Sequence, residues 1–257
     1  MNNAIFDSHA HYDDEAFDED RESLLEELPR RGICNVVNCG ADLASSRSSI
    51  RLAERYPYFF YAAVGIHPEC AKDAPEDAMQ QLATLVSSKR VVAIGEIGLD
   101  YHFEDNAPRA VQKSLFEQQI LLAQEYHLPI IVHDRDAHGD TMEILRRLKP
   151  SGVVHCFSGS AEMANEVVRL GMYVGLGGAV TFKNARVPVE VAASIPLERM
   201  LMETDCPYMA PVPYRGKRND STLIAYTAAK VAEIRGIAAA AVLEATRRNA
   251  ETLFGVK

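Results

Sequence analysis

The chain has 257 residues and a net charge of −9; 47% of its residues are hydrophobic and 25% are charged. This composition is typical of a globular protein with a substantial core, and it excludes a chain that coats nucleic acid through a uniformly basic surface. The length suits one large α/β domain, which we expect to span residues 1–257. No apolar run approaches the roughly 18 residues that a membrane helix needs, so we expect no contact with membranes.

Strand-like and helix-like segments alternate along the chain. Strands are predicted at residues 4–9, 33–38, 59–66, 91–97, 130–133, 152–155, 172–175 and 200–203. Helices are predicted at residues 21–31, 43–56, 77–88, 109–127, 140–148, 161–170, 188–194, 222–235 and 238–253. Several strands are continuous runs of valine, isoleucine and alanine, as in parallel strands that are covered on both faces. The pattern predicts a single-domain α/β fold, a (β/α)8 TIM-like barrel.

The cysteines and the start of the chain bear on the compartment. Five cysteines are an odd number without C-x-x-C spacing, which argues against a disulfide framework or a zinc ribbon. Residues 1–7 lack the basic segment and the long apolar stretch of a secretory signal. We therefore expect a cytoplasmic protein.

Metal-binding side chains end five of the strand-like runs. Since a parallel barrel brings the carboxyl ends of all its strands to one face, residues nearly 200 positions apart can meet there. Each motif alone is weak evidence, whereas the coincidence of all five indicates an active site. The motifs are Asp7-Ser8-His9-Ala10-His11, Gly95-Glu96-Ile97-Gly98-Leu99-Asp100, Ile130-Ile131-Val132-His133, Val153-Val154-His155 and Met202-Glu203-Thr204-Asp205.

The first motif places two histidines on one side of a strand. His9 and His11 are two residues apart, so on an extended chain their side chains point the same way and could bind one divalent cation. By itself this spacing is a weak signal for a metal. Asp7 is in phase with both histidines, and two interpretations stay open. It either orients a ligand or is a buried carboxylate bonded to the backbone.

The other motifs add carboxylates and imidazoles. Glu96 follows a run of valine, alanine and isoleucine, where a glutamate is costly unless it is paired or coordinated. Its two oxygens could bridge two cations. His133 and His155 each end an apolar run, where a lone histidine is more often a hydrogen-bonded core residue than a ligand. Asp205 ends the last run and could both bind a metal and accept a proton from water.

The donors together are four imidazoles and two carboxylates, without a thiolate. Nitrogen and oxygen ligands suit Zn, Mn, Fe or Mg better than a metal that prefers sulfur. Six donors exceed what one tetrahedral ion requires. We therefore expect two divalent ions, with Mg, Mn and Zn as the leading choices, that activate a water between them.

The motifs resemble those of the TatD family of metal-dependent deoxyribonucleases, within the amidohydrolase-like superfamily of barrels. The resemblance covers nearly the whole chain, and the combined pattern is specific. Related barrels often recruit a lysine after a middle strand, and Glu96 at that position favours the TatD pattern. Further matching segments are Gly65-Ile66-His67-Pro68, Gly95-Glu96-Ile97-Gly98-Leu99-Asp100-Tyr101, His133-Asp134-Arg135-Asp136-Ala137, His155-Cys156-Phe157-Ser158-Gly159, Glu203-Thr204-Asp205-Cys206-Pro207-Tyr208 and Arg248-Asn249-Ala250-Glu251-Thr252-Leu253-Phe254.

The resemblance implies a role for each donor. The first metal is expected on His9, His11, Glu96 and Asp205, and the second on Glu96, His133 and His155. Glu96 bridges the two ions and Asp205 is also the general base, so these two are the expected catalytic residues. The implied activity is hydrolysis of phosphodiester bonds in DNA, on single strands or ends and from the 3′ end. No obligatory protein partner is expected.

Two alternatives stay open. The same centre could hydrolyse small phosphate esters, aminoacyl-tRNA esters or amides. A barrel that binds nucleic acid without catalysis is the other alternative, and it predicts binding without turnover even after metal is added.

Polar and basic residues in the segments after the strands are predicted to contact the substrate. His67 either touches the substrate or a third cation, or it is a hydrogen-bonded histidine before Pro68. The arginines could bind phosphate, although each could also be a solvated surface cation. The expected contacts are His67, Tyr101, His102, Arg135, Arg215 and Arg218.

The segment after the last predicted strand departs from the family pattern. Residues 206–221 contain three prolines and one glycine, which indicates a loop. The family pattern resembles Arg-Gly-x-Arg-Asn-Glu-Pro, where residues 215–221 read Arg-Gly-Lys-Arg-Asn-Asp-Ser. The basic residues are kept, and Asp220 or Ser221 becomes a plausible helix N-cap. We expect this loop to decide the substrate.

Overall fold

The computed structural model describes residues 4–256. Residues 1–3 and 257 lie outside the described residues. The expected domain (residues 1–257) and the segment in which a signal peptide was considered (residues 1–7) both include some of these residues. Eight parallel strands form one sheet in chain order, each paired with the next. They are β1 (Ile5–Ala10), β2 (Ile33–Cys39), β3 (Phe60–Val64), β4 (Val91–Asp100), β5 (Ile130–Arg135), β6 (Gly152–Val154), β7 (Tyr173–Leu176) and β8 (Met200–Met202).

Helices connect the strands and surround the sheet. The alternation of strand and helix confirms the predicted α/β fold of the (β/α)8 TIM-barrel type. No helix in the part of the chain that the structure describes is long and apolar enough to cross a membrane. The helices are α1 (Arg21–Glu27), α2 (Leu43–Arg55), α3 (Ala78–Val86), α4 (Arg109–Glu125), α5 (His138–Leu148), α6 (Ala161–Arg169), α7 (Arg186–Ser194), α8 (Ile224–Arg235) and α9 (Ala239–Phe254).

Two boundaries differ from the sequence prediction by three residues or more. The helix predicted at 21–31 ends as an α-helix at Glu27 and continues as a 3-10 turn, because Pro29 has no N–H to donate to an α-helical hydrogen bond. β4 runs on to Asp100, beyond the predicted end at residue 97, since it keeps pairing with β5 as far as Arg135. This extension brings Asp100 to the mouth of the barrel.

The sheet is nearly closed into a barrel where β1 meets the segment after β8. Ala10 forms a parallel bridge with Cys206. The backbone N–H of Asp205 donates to the carbonyl of His9 at 3.0 Å, and that of His11 donates to the carbonyl of Cys206 at 2.8 Å. This seam places the first and the last sequence motif side by side.

The apolar core has two parts. One cluster of buried side chains contains residues of every strand and, among the helices, only of α9, so it lies inside the barrel. Phe254 of α9 stacks on Phe6 of β1 with ring centroids 5.9 Å apart, and together they fill the end where the strands begin. The other cluster packs between the sheet and the helices. The polar donor side chains therefore lie at the opposite end of the barrel, where the strands finish.

Candidate metal centre

Extra residues in β1 and β4 redirect side chains at the barrel mouth. Over residues 7–10, β1 has one residue more than the facing stretch of β2. Over residues 94–97, β4 likewise has one residue more than the facing stretch of β5. Such bulges bend a strand and re-aim a side chain, often beside active sites. The two bulges contain His9 and Glu96.

Four donor atoms converge at the seam of the barrel. His9 Nε2 lies 2.9 Å from His11 Nε2. These nitrogens lie 3.3 and 3.5 Å from Glu96 Oε2, and both lie 3.5 Å from Asp205 Oδ1. A tetrahedron with edges of about 3.3 Å has its centre about 2.0 Å from each corner, which is the usual length of a bond from zinc to nitrogen or oxygen. His9, His11 and Glu96 therefore fit one small divalent ion, and Asp205 lies 3.5 Å from both nitrogens, where it could complete the site.

The second oxygen of Glu96 faces a different set of histidines. Oε1 lies 2.7 Å from His155 Nε2, 2.9 Å from His133 Nδ1 and 3.4 Å from His67 Nε2. One carboxylate thus stands between two groups of imidazoles, each group on its own oxygen. The structure brings all six sequence-predicted donors into one cluster.

His67 joins this cluster as a hydrogen-bonding residue. Its Nδ1 accepts the backbone N–H of Glu69 at 3.2 Å, at the start of the 3-10 helix Pro68–Asp73. A neutral imidazole that accepts at Nδ1 carries its proton on Nε2, the nitrogen that faces Glu96. Its position beside Glu96 and His133 would allow a metal contact, but this tautomer puts a proton, and not a lone pair, on the nitrogen that lies 3.4 Å from Glu96 Oε1. The geometry favours the hydrogen-bonded alternative over a third cation.

In the second group of imidazoles, the ring nitrogens of His155 lack hydrogen-bond partners among residues 4–256. Its Nε2 lies close to Glu96 Oε1, yet the two atoms are not oriented for a hydrogen bond, and neither ring nitrogen has such a partner within residues 4–256. The ring is buried against His9, with centroids 3.9 Å apart and planes 9° apart. Buried nitrogens without partners are rare because they lose their hydrogen bonds to water. A cation shared with Glu96 would satisfy Nε2, so the residues fit a second ion.

Burial and neighbouring charges set the protonation of the donors. Burial alone would raise the pKa of Glu96, but the surrounding imidazoles, His155 foremost, hold it well below its ordinary range. Burial lowers the pKa of His9 to about 4. Burial likewise opposes ionisation of Asp205, but the hydrogen bond with His11 and the nearby imidazoles of His9 and His155 together outweigh it and lower the pKa of Asp205. Ionised carboxylates and neutral imidazoles are the forms that bind metal ions.

Asp100 contacts the ring of His133 on the side away from Glu96. His133 Nε2 lies 2.9 Å from Asp100 Oδ2, while Nδ1 faces Glu96. Burial lowers the pKa of His133, but these two carboxylates outweigh it and raise the pKa to about 10. A carboxylate on the outer nitrogen fixes the ring and strengthens the inner nitrogen as a ligand. Sequence reasoning gave Asp100 no role, although its place at the end of the Glu96 motif was a usable signal.

Glu203 is the second residue that the sequence argument passed over. It is buried, and its Oε1 accepts the backbone N–H of Cys156 and lies 3.8 Å from His155 Nδ1. Burial raises the pKa of Glu203 to about 8. Gly175 leaves the room for it, because a side chain there would collide with the Glu203 carboxylate. A glutamate two residues before Asp205, after an apolar run, was the available signal.

Asp7 lies beneath the donors rather than among them. Its Oδ1 accepts the N–H of Thr204 at 3.0 Å and that of His9 at 3.3 Å. Its Oδ2 accepts the hydroxyls of Thr204 at 2.6 Å and Ser221 at 2.7 Å. The structure supports the second of the two interpretations left open above, a buried carboxylate bonded to the backbone. Asp7 thereby anchors Thr204, the residue that precedes Asp205.

The departure from the family pattern at residues 220–221 has two different consequences. Asp220 accepts the N–H of Thr222 at 2.8 Å and caps the turn before α8. Ser221 is buried instead, between Asp7 and Tyr12, whose hydroxyl lies 2.7 Å from that of Ser221. The cap is therefore Asp220, and Ser221 ties the loop to the base of the site.

Two of the basic residues predicted to contact substrate are exposed. Arg135 lies over the ring of Phe103 at 5.0 Å, and Arg215 lies over the ring of Phe182 at 4.4 Å. Neither arginine forms an ion pair with a carboxylate among residues 4–256. Both guanidinium groups keep hydrogen-bond donors for an anionic ligand.

Three other predicted contacts already have partners on the protein surface. A residue engaged in this way must exchange its partner before it can bind a substrate. The pairs are Tyr101 with Asp140 at 2.7 Å, His102 with Asp136 at 2.9 Å, and Arg218 with Asp20 at 2.6 and 2.7 Å. These contacts stay predictions.

Comparisons with known proteins agree with this geometry. A family model described as TatD related DNase matches residues 6–255. The chain is 41% identical over 255 residues to the metal-dependent hydrolase YabD of Bacillus subtilis, covering 98% of this chain and 99% of that protein. It is 34% identical over 259 residues to the metal-dependent hydrolase YcfH of Escherichia coli, covering 98% and 96% respectively.

Solved structures show the same likeness in three dimensions. YjjV of Escherichia coli, described as a TatD homologue, superposes with a TM-score of 0.93 at 33% identity, covering 100% of both chains. A TatD-family hydrolase of Entamoeba histolytica gives a TM-score of 0.88 at 24% identity over 98% of both chains, which bears on the fold alone. The likeness extends over every strand that carries a donor.

Proposed function

The chain belongs to the TatD-related DNase family and is a metal-dependent hydrolase, and on that premise we propose that it is a deoxyribonuclease that uses two divalent ions. It would hydrolyse phosphodiester bonds on single strands or ends of DNA, removing nucleotides from the 3′ end. The observation that carries this proposal is the division of Glu96: Oε2 faces His9 and His11, and Oε1 faces His133 and His155. Bridging carboxylates of this kind are typical of two-metal hydrolases.

The bound ions would lower the pKa of water and neutralise the charge that develops on the phosphate. The protein's part begins with Asp205, whose side chain is 19% exposed while that of Glu96 is 5% exposed. Of the two carboxylates, Asp205 is thus the one that a water can reach. Because its lowered pKa keeps it ionised, Asp205 can accept the proton of an attacking water. Glu96, the more buried carboxylate, keeps the two groups of histidines at fixed positions relative to each other.

The other residues of the centre keep the donors in place. Asp100 fixes the ring of His133 through its outer nitrogen. His67 lies beside Glu96, with its Nε2 3.4 Å from Oε1, the oxygen that does not face His9 and His11. Asp7 holds the backbone on either side of the seam through Thr204 and His9. These contacts reduce the reorganisation needed when a phosphate enters.

DNA as substrate is supported by the rim of the barrel mouth. Arg135 and Arg215 would bind phosphates beside the scissile bond. Phe103 and Tyr208 are exposed in the loops after β4 and β8, and unpaired bases stack on such rings. A single-stranded end offers both features, whereas a small phosphate ester needs neither.

The proposal is tested on single-stranded DNA oligonucleotides labelled at the 5′ or the 3′ end. Protein stripped with chelator is reloaded separately with Mg²⁺, Mn²⁺ or Zn²⁺, and products are sized at early times. We expect the 5′ label to give a ladder and the 3′ label to give mononucleotide at once. Chromogenic phosphate esters, aminoacyl esters and amides are assayed in parallel. Turnover confined to these substrates, or DNA binding without cleavage, would overturn the proposal in favour of the corresponding alternative.

A further inference from the structure

A histidine that binds metal through Nε2 needs a partner for the proton on Nδ1. That partner fixes the tautomer and the direction of the ring. His9 Nε2 faces Glu96 and Asp205, so its Nδ1 points back into the barrel. There the hydrogen-bonding atom is the thiol sulfur of Cys39 in β2, 3.4 Å away.

The surroundings of Cys39 define the direction of this hydrogen bond. The Val37 carbonyl, 4.0 Å from the sulfur, offers an acceptor for the S–H of Cys39, which leaves the sulfur able to accept from His9 Nδ1–H. The backbone carbonyl of Cys39 is 2.9 Å from His11 Nδ1 and can only accept. A proton therefore lies on Nδ1 of His11, and a proton on Nδ1 of His9 leaves the lone pair of His9 Nε2 directed toward the converging donor atoms.

We propose that Cys39 is a positioning residue that orients both histidines of the first metal site. Its sulfur lies on the Nδ1 side of His9, away from the converging donor atoms, so it is not itself a ligand. The side chain is completely buried and has no route to substrate. The proposal rests on the metal site of the proposed function, and it adds a role for a residue outside the donor set.

Loss of the sulfur has different consequences for the two histidines. The carbonyl that holds His11 belongs to the backbone and is kept in any variant. His9 Nδ1 would lose its acceptor, so the ring could rotate or move its proton to Nε2, the atom that must stay free. Removal of such a partner typically weakens metal binding roughly 10–100-fold.

The first measurement is Zn²⁺ affinity by competition with a chelating dye. Cys39→Ala is compared with Cys39→Ser, whose hydroxyl can still accept, and with Cys34→Ala as the matched control. Cys34 lies in the same strand and its thiol donates to the carbonyl of Ile5 at 3.2 Å, remote from the donors. We expect a roughly 10–100-fold loss for Cys39→Ala and less than a threefold change for Cys39→Ser and Cys34→Ala.

The second measurement separates this proposal from the proposed function. In chelator at neutral pH, the ¹⁵N spectrum of histidine-labelled protein should show His9 protonated at Nδ1, and Cys39→Ala should lose that state. Melting temperatures in chelator verify that each variant is folded. If Cys39→Ala is not folded, the test is the Zn²⁺ affinity of Cys39→Ser, and a change of more than threefold would contradict the proposal. Equal Zn²⁺ affinity and an unchanged His9 spectrum in folded Cys39→Ala would overturn the assignment. A wild-type protein with the expected spectrum but no Zn²⁺ binding would instead refute the metal centre.

Discussion

Replacement of Glu96 by glutamine tests the bridge at its centre. The amide has nearly the shape of the carboxylate, but only one of its two polar atoms can bind a cation. Because Oε1 and Oε2 face different groups of histidines, one group must lose its shared ligand whichever way the amide turns. We expect Glu96→Gln to retain at most one ion.

The size of the effect follows from the distances. A cation bound between Glu96 Oε2 and His9 Nε2, which are 3.3 Å apart, would lie within that distance of the carboxylate, where each unit of its charge is attracted by about 5 kcal/mol at an effective dielectric constant of about 20. An amide is easier to desolvate than a carboxylate, which offsets part of this loss. A net loss of roughly 4 kcal/mol corresponds to about a 10³-fold fall in kcat/KM.

Ion stoichiometry is measured by elemental analysis after dialysis, and kcat/KM is measured on a 5′-labelled single-stranded oligonucleotide. Glu104→Gln is the matched control, because Glu104 is an exposed residue in the loop after β4 and the same charge is removed outside the donor groups. The control should keep both ions and its activity within twofold. If Glu96→Gln keeps two ions and more than a tenth of the wild-type activity, the bridging role is wrong.

Three further predictions concern residues around the donors. His67→Ala should keep both ions by elemental analysis while kcat falls, because the protonated Nε2 of His67 lies 3.4 Å from Glu96 Oε1 and stabilises the charge of that carboxylate; loss of an ion would make it a ligand. Arg215→Ala should raise KM for DNA severalfold and Arg218→Ala should change it less than twofold, since Arg218 is paired with Asp20; equal effects would contradict this distinction. Burial raises the pKa of Asp7 from 3.8 to about 6, so its contribution to stability is greatest below pH 4 and is lost as the pH rises to 6. Between pH 4.5 and 7, denaturant titrations should show the free energy of unfolding of wild type falling by about 2 kcal/mol relative to Asp7→Asn; parallel pH profiles would refute it.

The sequence predicted the barrel and the donors because both follow from local patterns. Runs such as the one before Glu96 are long enough for one buried strand, and a charged residue that ends such a run is costly unless something compensates it. Parallel strands all finish at one edge, so His133 and His155 could be assigned to a common face before any distance was known. The same reasoning predicted that Asp205 would lie near His9.

Orientation could not be predicted in this way, because it depends on contacts between residues far apart in the chain. The bulge at residues 94–97 aims Glu96, and it arises from the register of β4 against β5. The pairing of Arg218 with Asp20 depends on how the last loop lies against the first turns of the chain. A solvated cation and a substrate contact have the same sequence signature.

Sequence alone thus predicted which side chains meet at the mouth of the barrel, and tertiary structure decided how each is held. The division of Glu96 between two groups of histidines requires the closed barrel. Asp7 receives the hydroxyl of Ser221, 214 residues later in the chain, only because β1 and the last loop pack together. Residue type and spacing indicate which side chains lie at the end of a buried strand. The direction of a buried polar group is set by whichever partners the fold brings within hydrogen-bond distance.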